Sequence, residues 1–572
     1  MRVELLGQPY LGKSVIASGQ EAVNLYAESN AGDPNAPVRV TYYLTPGWSV
    51  YADPELALPV RATYRTSIGT AYVVIGSSLY FLTSVQALIF IGFVADRPSQ
   101  VMMADNGLVT VLVDGVNGYV VDMETNDFSQ ILDPNFYGAS WVAFLDTFFI
   151  FNRPDTNQFF ISLSMSNFGM LSNSGVATGT ITNPGNDPYV NGTYTNVPFV
   201  NISGGMQGSG LEATIVVTGL GDVTSVTITN AGSGYLVGDL LGVVNTFLGG
   251  TGSGFRYTVA SVETAFDPLD IAAKSGSADP IVALAAVHKE LWLIGELTTE
   301  VWIGTGAADF YFQQQQGAYI DHGCAAEYSL AYQDIVLFWL MQDKQGKCIV
   351  VRGGGYQVEE ISTPYLVSRF SKYTTVEDAI GCCFQIEDHA YYCLIFPTEN
   401  ETWLYDLTTK TWTEWAYTAD GNFNRHRINC CMFAYGANII GDWENGKLLK
   451  LDPELYEDGG DPIVRVRTFM HMIIEGHKVT YDQFIADMEC GTSVQEDEDE
   501  ADPVVRLSWS DDRGVTFGNS VEQTLGRQGE YLTQPSWNRL GMARDRVFKL
   551  QWSANCKTAL NGAFIDITPH SS

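Results

Sequence analysis

"AYVVIGSSLYFLT" (Ala71–Thr83) decides how the chain is read. Two runs of β-branched and aromatic residues flank Gly-Ser-Ser, the mark of two strands joined by a tight turn. The device returns at "GLVTVLVDGVNGYVVD" (Gly107–Asp122), "ASWVAFLDTFFIFN" (Ala139–Asn152) and "IVALAAVHKELWLIGELTTEVWIG" (Ile281–Gly304). It comes back over Tyr328–Ser362, Ala379–Trp415 and Cys430–Asp452. Neighbouring units start roughly 40–50 residues apart, which is the period of propeller blades. The pattern predicts an all-β chain built on a β-propeller of about six to eight blades, with about seven the best count. An irregular β-sandwich is the competing arrangement.

The period breaks once, between Asn152 and Ile281, and removing about 100 residues restores it. Residues 162–270 are rich in Gly, Thr, Ser, Asn and Val and almost free of Trp and Cys. Short alternating strands with glycine-rich turns predict an inserted small β-domain there. The propeller is then expected over 61–161 and 271–456, with 1–60 as an N-terminal segment joining it. Residues 457–572 form a C-terminal β block, interrupted by an acidic run, Glu496 to Glu500. Consecutive acids lack the spacing and turn glycine of a calcium loop, so a solvated loop is expected.

"SWSDDRGVTF" (Ser508–Phe517) contains the Ser-x-Asp-x-Gly-x-Thr-Phe pattern of an Asp-box. Asp512 is placed to accept backbone N–H groups across a turn, and Gly514 to supply its positive φ. Ser510 and Thr516 add local side-chain bonds, and Phe517 packs beneath. The turn uses every one of these residues, so the box reads as a structural device. Glycosidase chemistry needs two positioned carboxylates, or a Tyr nucleophile with an acid partner, and substrate-binding arginines. One box supplies none of these. A sialidase-like, glycan-binding or glycan-cleaving propeller therefore stands only as an alternative.

Composition narrows the rest. The chain has 65 Asp and Glu against 31 Lys and Arg, a formal net charge of −34. A protein that grips duplex DNA shows basic patches instead. No apolar run is long enough for a membrane-spanning helix, and the start lacks a signal-peptide core. The nine cysteines include two adjacent pairs and no CxxC, which fits free thiols in a reducing compartment and no zinc ribbon. The seven histidines are scattered, so neither a metal nor a catalytic centre is expected, and no cofactor motif is present. "NRHR" (Asn424–Arg427) is a small basic patch, read as a salt-bridging element with phosphate contact as the alternative.

The C-terminal stretch resembles a known family. "SDDRGVTF", "LGRQGEY", "WNRLGMARDRVFKLQWS" and "ALNGAFID" resemble the packaged-DNA stabilisation proteins of short-tailed phages, also described as tail hub or nozzle proteins. "QEAVNLYAES" (Gln20–Ser29) and "TPGW" (Thr45–Trp48) are similar to that family's opening. "SVTITNAGSGYLVGD", inside the insertion, resembles a module of phage tail and baseplate proteins. Phe517 where Trp is usual, the acidic loop and the insertion depart from the family's pattern.

The resemblance implies a structural virion protein with no catalysis, folded in the host cytoplasm and located in the phage tail. It implies a homo-hexamer below portal and adaptor, with tail fibres or a distal plug as further partners. Such a ring extends the DNA channel and helps retain packaged DNA, which passes without stable binding. Arg539, Arg544, Arg546 and Lys549 are the candidate contact to a neighbouring acidic surface, with outward strand residues the equal alternative. A receptor-binding role for the insertion is a third reading.

Overall fold

The computed structural model describes residues 1–7, 10–12, 19–29, 40–164, 175–203, 208–307, 309–342, 346–419, 421–474, 476–493 and 501–570. The acidic run Glu496 to Glu500 lies outside the described residues. Strand makes up 54% of the chain and helix 3%, so the fold is all-β.

Seven antiparallel blades of four strands follow one another, five as separate sheets and two within larger ones. Blade 1 starts with Val60–Arg65 and ends at its rim with Leu88–Phe93; blade 2 runs from Met102–Asp105 to Phe128–Gln130. Blade 3 takes Val142–Leu145, Phe148–Asn152 and Gln158–Ile161, and then, after the insertion, Ile271–Ala273. Blades 4, 5 and 6 run over residues 281–320, 331–360 and 380–414. Blade 7 draws three strands from 428–452, and its fourth is Gly47–Ala52, paired antiparallel to Leu448–Asp452. The "TPGW" stretch is thus the clasp of the ring. At Gly47 a Cβ would lie 2.3 Å from the Glu457 carbonyl oxygen, which is why only glycine fits. The ring closes where Ile428–Ala434 meets Val60–Arg65, and Asn429 donates from Nδ2 to the Val60 carbonyl at 2.8 Å.

Each blade alternates its side chains between two faces, so apolar clusters form between adjacent blades rather than around one centre. Tyr72, Val74 and Leu79 of blade 1 pack with Leu112 and Val121 of blade 2, and Val73 and Ile75 pack with Ile439 and Leu448 of blade 7.

The insertion is a six-stranded sheet with its own core, including Phe199, Ile215, Tyr235 and Tyr257. Its entry and exit are adjacent: Leu163 donates from N to the Ala265 carbonyl at 2.8 Å, and Glu263 to that of Gly175 at 2.6 Å.

The C-terminal block is a sandwich. One sheet combines Val479–Met488, Ser536–Ala543 and Leu560–Pro569 with Arg2–Glu4, Leu25–Ser29 and Val40–Leu44 from the N-terminal segment. The other contains Arg465–Thr468, Val504–Ser510, Val521–Thr524 and Asp545–Trp552. Phe484, Trp537, Phe548 and Trp552 fill the space between them. Residues 1–60 divide between the two units: Gly47–Ala52 adds a strand to blade 7, while Arg2–Glu4, Leu25–Ser29 and Val40–Leu44 pair within the sandwich. Ala22–Val23 bridges instead, pairing Val23 with Glu414 of blade 6 and Ala22 with Arg467 of the sandwich. Blade 6 and the sandwich so share one continuous ten-stranded sheet.

Candidate functional site

The Asp-box turn follows Val504–Ser510 and lies on the sandwich, away from the blades. Asp512 Oδ1 accepts N–H bonds from Val515 at 3.1 Å and Thr516 at 2.9 Å, and the Ser510 hydroxyl at 2.5 Å. The Thr516 hydroxyl donates to Oδ2, and the Gly514 N–H donates to Ser510 Oγ at 2.8 Å. Gly514 has φ +86°. The Ser510 hydroxyl first, then the Thr516 side chain and amide, hold the exposed Asp512 carboxyl down at about 2. Phe517 is half-buried beneath the turn, with the Lys549 ammonium 4.3 Å from its ring centre. The polar groups of the box bond to one another across the turn.

The four basic candidates do not form one patch. Arg539 and Arg544 are exposed. Arg546 is 2% exposed and points inward, on the same side of its strand as Phe548, Leu550 and Trp552. Its Nη1 donates to the Leu540 carbonyl at 2.6 Å, and its guanidinium carbon lies 4.6 Å from the Tyr481 ring centre. Its other edge is bound to Asp511. Arg546 is therefore a structural residue of the sandwich and not an outward contact, while Lys549 is turned onto Phe517.

At the propeller axis, the first strands of the blades enclose a cavity of about 250 Å³. Arg61, Tyr64, Trp141, Tyr332, Cys382 and Cys431 are among its lining residues. Burial raises the Cys383 and Cys430 thiols well above their usual range, which makes them poor nucleophiles.

Two of the histidines, His389 and His426, are buried. His426 is buried and stacked on Trp415 with ring centres 3.6 Å apart, and burial pushes it down to about 3. His389 Nδ1 lies 2.7 Å from Asp406 Oδ2, and that contact raises its pKa. In "NRHR", Arg425 and Arg427 lie over the Trp443 ring, and Arg427 pairs with Glu444. Among the described residues no group of three His, Cys, Asp or Glu could hold a metal ion, and no helix is long and apolar enough to cross a membrane.

Residues 222–456 match the family model described as "Bacteriophage P22 Gp10, beta-propeller", and residues 466–568 the one described as "Bacteriophage P22 Gp10, beta-sandwich". Together they span more than half of the chain. It belongs to the Gp10 family of packaged-DNA stabilisation proteins.

Gp10 membership makes the chain a phage structural protein that stabilises packaged DNA, a component of the virion tail that assembles with other virion components. The Gp10 propeller match starts at residue 222, within the insertion, so the first three blades are identified by their sheet topology. No curated protein matches the chain. Among solved structures, a chain of the S. cerevisiae Dbp5 complex with Nup159, Gle1, IP6 and ADP is similar over 75% of this chain and 99% of that one, at 9% identity and a TM-score of 0.30. The β-propeller domain of Myceliophteria thermophila Cps50 (Swd1) is similar over 68% and 96%, at 6% identity and a TM-score of 0.27.

Sequence reasoning missed one polar cleft, between blade 6 and the sandwich. It has a volume of about 320 Å³ and is lined by Glu21, Arg369, Glu401, Glu414 and Lys549, among others. The short helix Pro364–Phe370, capped by Thr363 with Pro at its first turn, carries Arg369 to it. Arg369 clasps Glu401 with Nε at 2.8 Å and Nη2 at 2.5 Å. Burial, and then repulsion from Glu21, push Glu414 up to about 7. These residues come from segments hundreds of positions apart, so no local motif could announce them.

Proposed function

We propose that this chain is a subunit of the tail nozzle or hub, arranged as a hexameric ring below portal and adaptor, and that it has no catalytic step. The observation that carries this reading is Gp10 family membership across propeller and sandwich. In such a ring the DNA path runs between copies. A lumen lined by chains of net charge −34 offers few phosphate contacts, so a duplex can slide without being held. The Asp-box supports no glycosidase role, since its groups are spent on a sandwich turn. The test is a phage lacking this chain. Filled heads that lose their DNA, and an image of complete tails with the chain around the DNA path, are expected. Stable filled heads without it would sink the reading.

A second reading applies to the insertion alone. It has its own core, closely spaced entry and exit, and only five charged residues between 175 and 262: Asp187, Glu212, Asp222, Asp239 and Arg256. Such a module suits a contact to a fibre or a cell-surface receptor. Adsorption assays on phages without it separate this role from DNA retention.

A further inference from the structure

The rim strands of the seven blades are not alike. A free sheet edge invites pairing with another chain, and proteins blunt it by shortness, polar or charged residues, or a cover. Blades 2 and 3 end in three-residue strands, Phe128–Gln130 and Ile271–Ala273. Blade 4 ends in Phe312–Ile320, which contains four consecutive glutamines, and blade 5 in Gln357–Glu360. The rim of blade 6 is covered by Ala22–Val23 and that of blade 7 by Glu457–Asp458. Blade 1 has none of these devices and only a β-bulge at its edge. Its rim strand Leu88–Phe93, "LIFIGF", has six residues and pairs among the described residues only with Ser78–Leu82.

A bulge shapes this edge. Tyr80 faces Phe90 and Leu79 faces Gly92, so Ile91 is the extra residue. The extra residue shifts the alternation, and Phe90 and Phe93, three apart, emerge on the same face with ring centres 4.8 Å apart. Ile89 is 53%, Phe90 49% and Phe93 67% exposed, and Val85 in the preceding turn is 80% exposed. No Asp, Glu, Lys or Arg occurs between Arg65 and Asp96, in a chain that is 17% charged.

We propose that the blade 1 rim, centred on Ile89, Phe90 and Phe93, is the surface through which one copy of this chain meets the next. The proposal rests on the ring reading above. Charge decides the occupant. Two copies of net charge −34 repel wherever their acidic surfaces meet. An uncharged apolar strip lets identical acidic chains touch without burying a carboxylate. A basic partner would gain more from the acidic surface elsewhere. In a closed ring the contact is heterologous, so the strip meets a different patch of its neighbour.

The test compares wild type with the double variant Phe90→Lys, Phe93→Lys in the purified full chain. Sedimentation velocity is run in about 1 M salt, where screening acts over about 3 Å. Wild type is expected to associate as concentration rises, and the variant to associate about a hundredfold more weakly with unchanged melting. Leu532→Lys, at another exposed apolar position (98% exposed), should associate as wild type does. Identical sedimentation of wild type and double variant overturns the proposal. So does a lower melting temperature of the double variant at concentrations where both proteins are monomeric, because the strip is then packed within its own chain. In the virion, full occupancy of the double variant in an intact tail overturns the strip and leaves the nozzle reading standing. Failure of the nozzle reading shows differently: the wild-type chain is imaged away from the DNA path.

Discussion

Arg546 grips Asp511 with one edge of its guanidinium, Nε to Oδ1 at 2.5 Å and Nη2 to Oδ2 at 2.7 Å. The arginine is 3% exposed at its side chain and the aspartate 49%, so the pair anchors the Asp-box loop from below. Arg546→Ala leaves the buried Leu540 carbonyl without its donor, at a cost of about 1–3 kcal/mol. Arg544→Glu, at an exposed position, should stay within about 0.5 kcal/mol of wild type. Urea unfolding of both variants checks the contrast; equal losses would mean that Arg546 is not structural.

Asp512→Ala should loosen the turn without removing an activity. The folded carboxyl titrates at about 2 against an ordinary value of 3.8, so its contribution is present above the unfolded value and lost as pH falls through the folded one. Wild type should melt above the variant at neutral pH, and the gap should close toward about pH 2. A sialidase assay alongside is expected to read zero for both. Hydrolysis by wild type that vanishes in an equally stable variant would overturn the structural reading.

Glu414 has the opposite sign. Its carboxyl is raised from 4.5 to about 7, so the folded chain keeps a proton that the unfolded chain releases. Its stabilising contribution is full below the unfolded value and declines as pH rises through the folded one. Glu414→Gln mimics the protonated form. Calorimetry should find the two proteins alike near pH 4.5, and the variant melting higher near pH 8.

The insertion should be removable. Replacing residues 164–264 by a short glycine link joins positions that already share a 2.8 Å hydrogen bond, Leu163 to Ala265. Ile271–Ala273 can still close blade 3. The trimmed chain should keep a cooperative melt and its strand-rich circular dichroism; an unfolded product would show that the insertion supports the blades.

Purified protein should bind duplex DNA no more tightly than ordinary non-specific binding, roughly 10⁻⁴–10⁻⁶ M at physiological salt. Filter binding or fluorescence anisotropy measures it. A submicromolar affinity would contradict the sliding lumen.

The blades were legible because each is a run of local hairpins whose apolar strands and turn residues lie side by side in sequence. One rim was not: Gly47–Ala52 lies some 400 positions before the strand it pairs with. Non-local pairing leaves no periodicity to read. The Asp-box was legible for the same reason as the hairpins: its donors and acceptors lie within seven residues of one another. Arg546 was misjudged because the local density of positive charge outweighed the alternation with Phe548, Leu550 and Trp552, which already pointed it inward. The cleft around Glu414 needed the fold itself, since Glu21 and Arg369 reach it from distant segments.

The clasp of blade 7 also sets an order in time. A ribosome delivers Gly47–Ala52 long before Leu448–Asp452, and Leu25–Ser29 and Val40–Leu44 long before Leu560–Pro569. Early strands must wait, with their apolar faces uncovered, until nearly the whole chain has been made. A product broken off near residue 450 is therefore an unsealed ring and not a smaller working part. Supply of this tail component becomes all-or-none: finished subunits reach the particle, and stalled ones go to the host's chaperones and proteases.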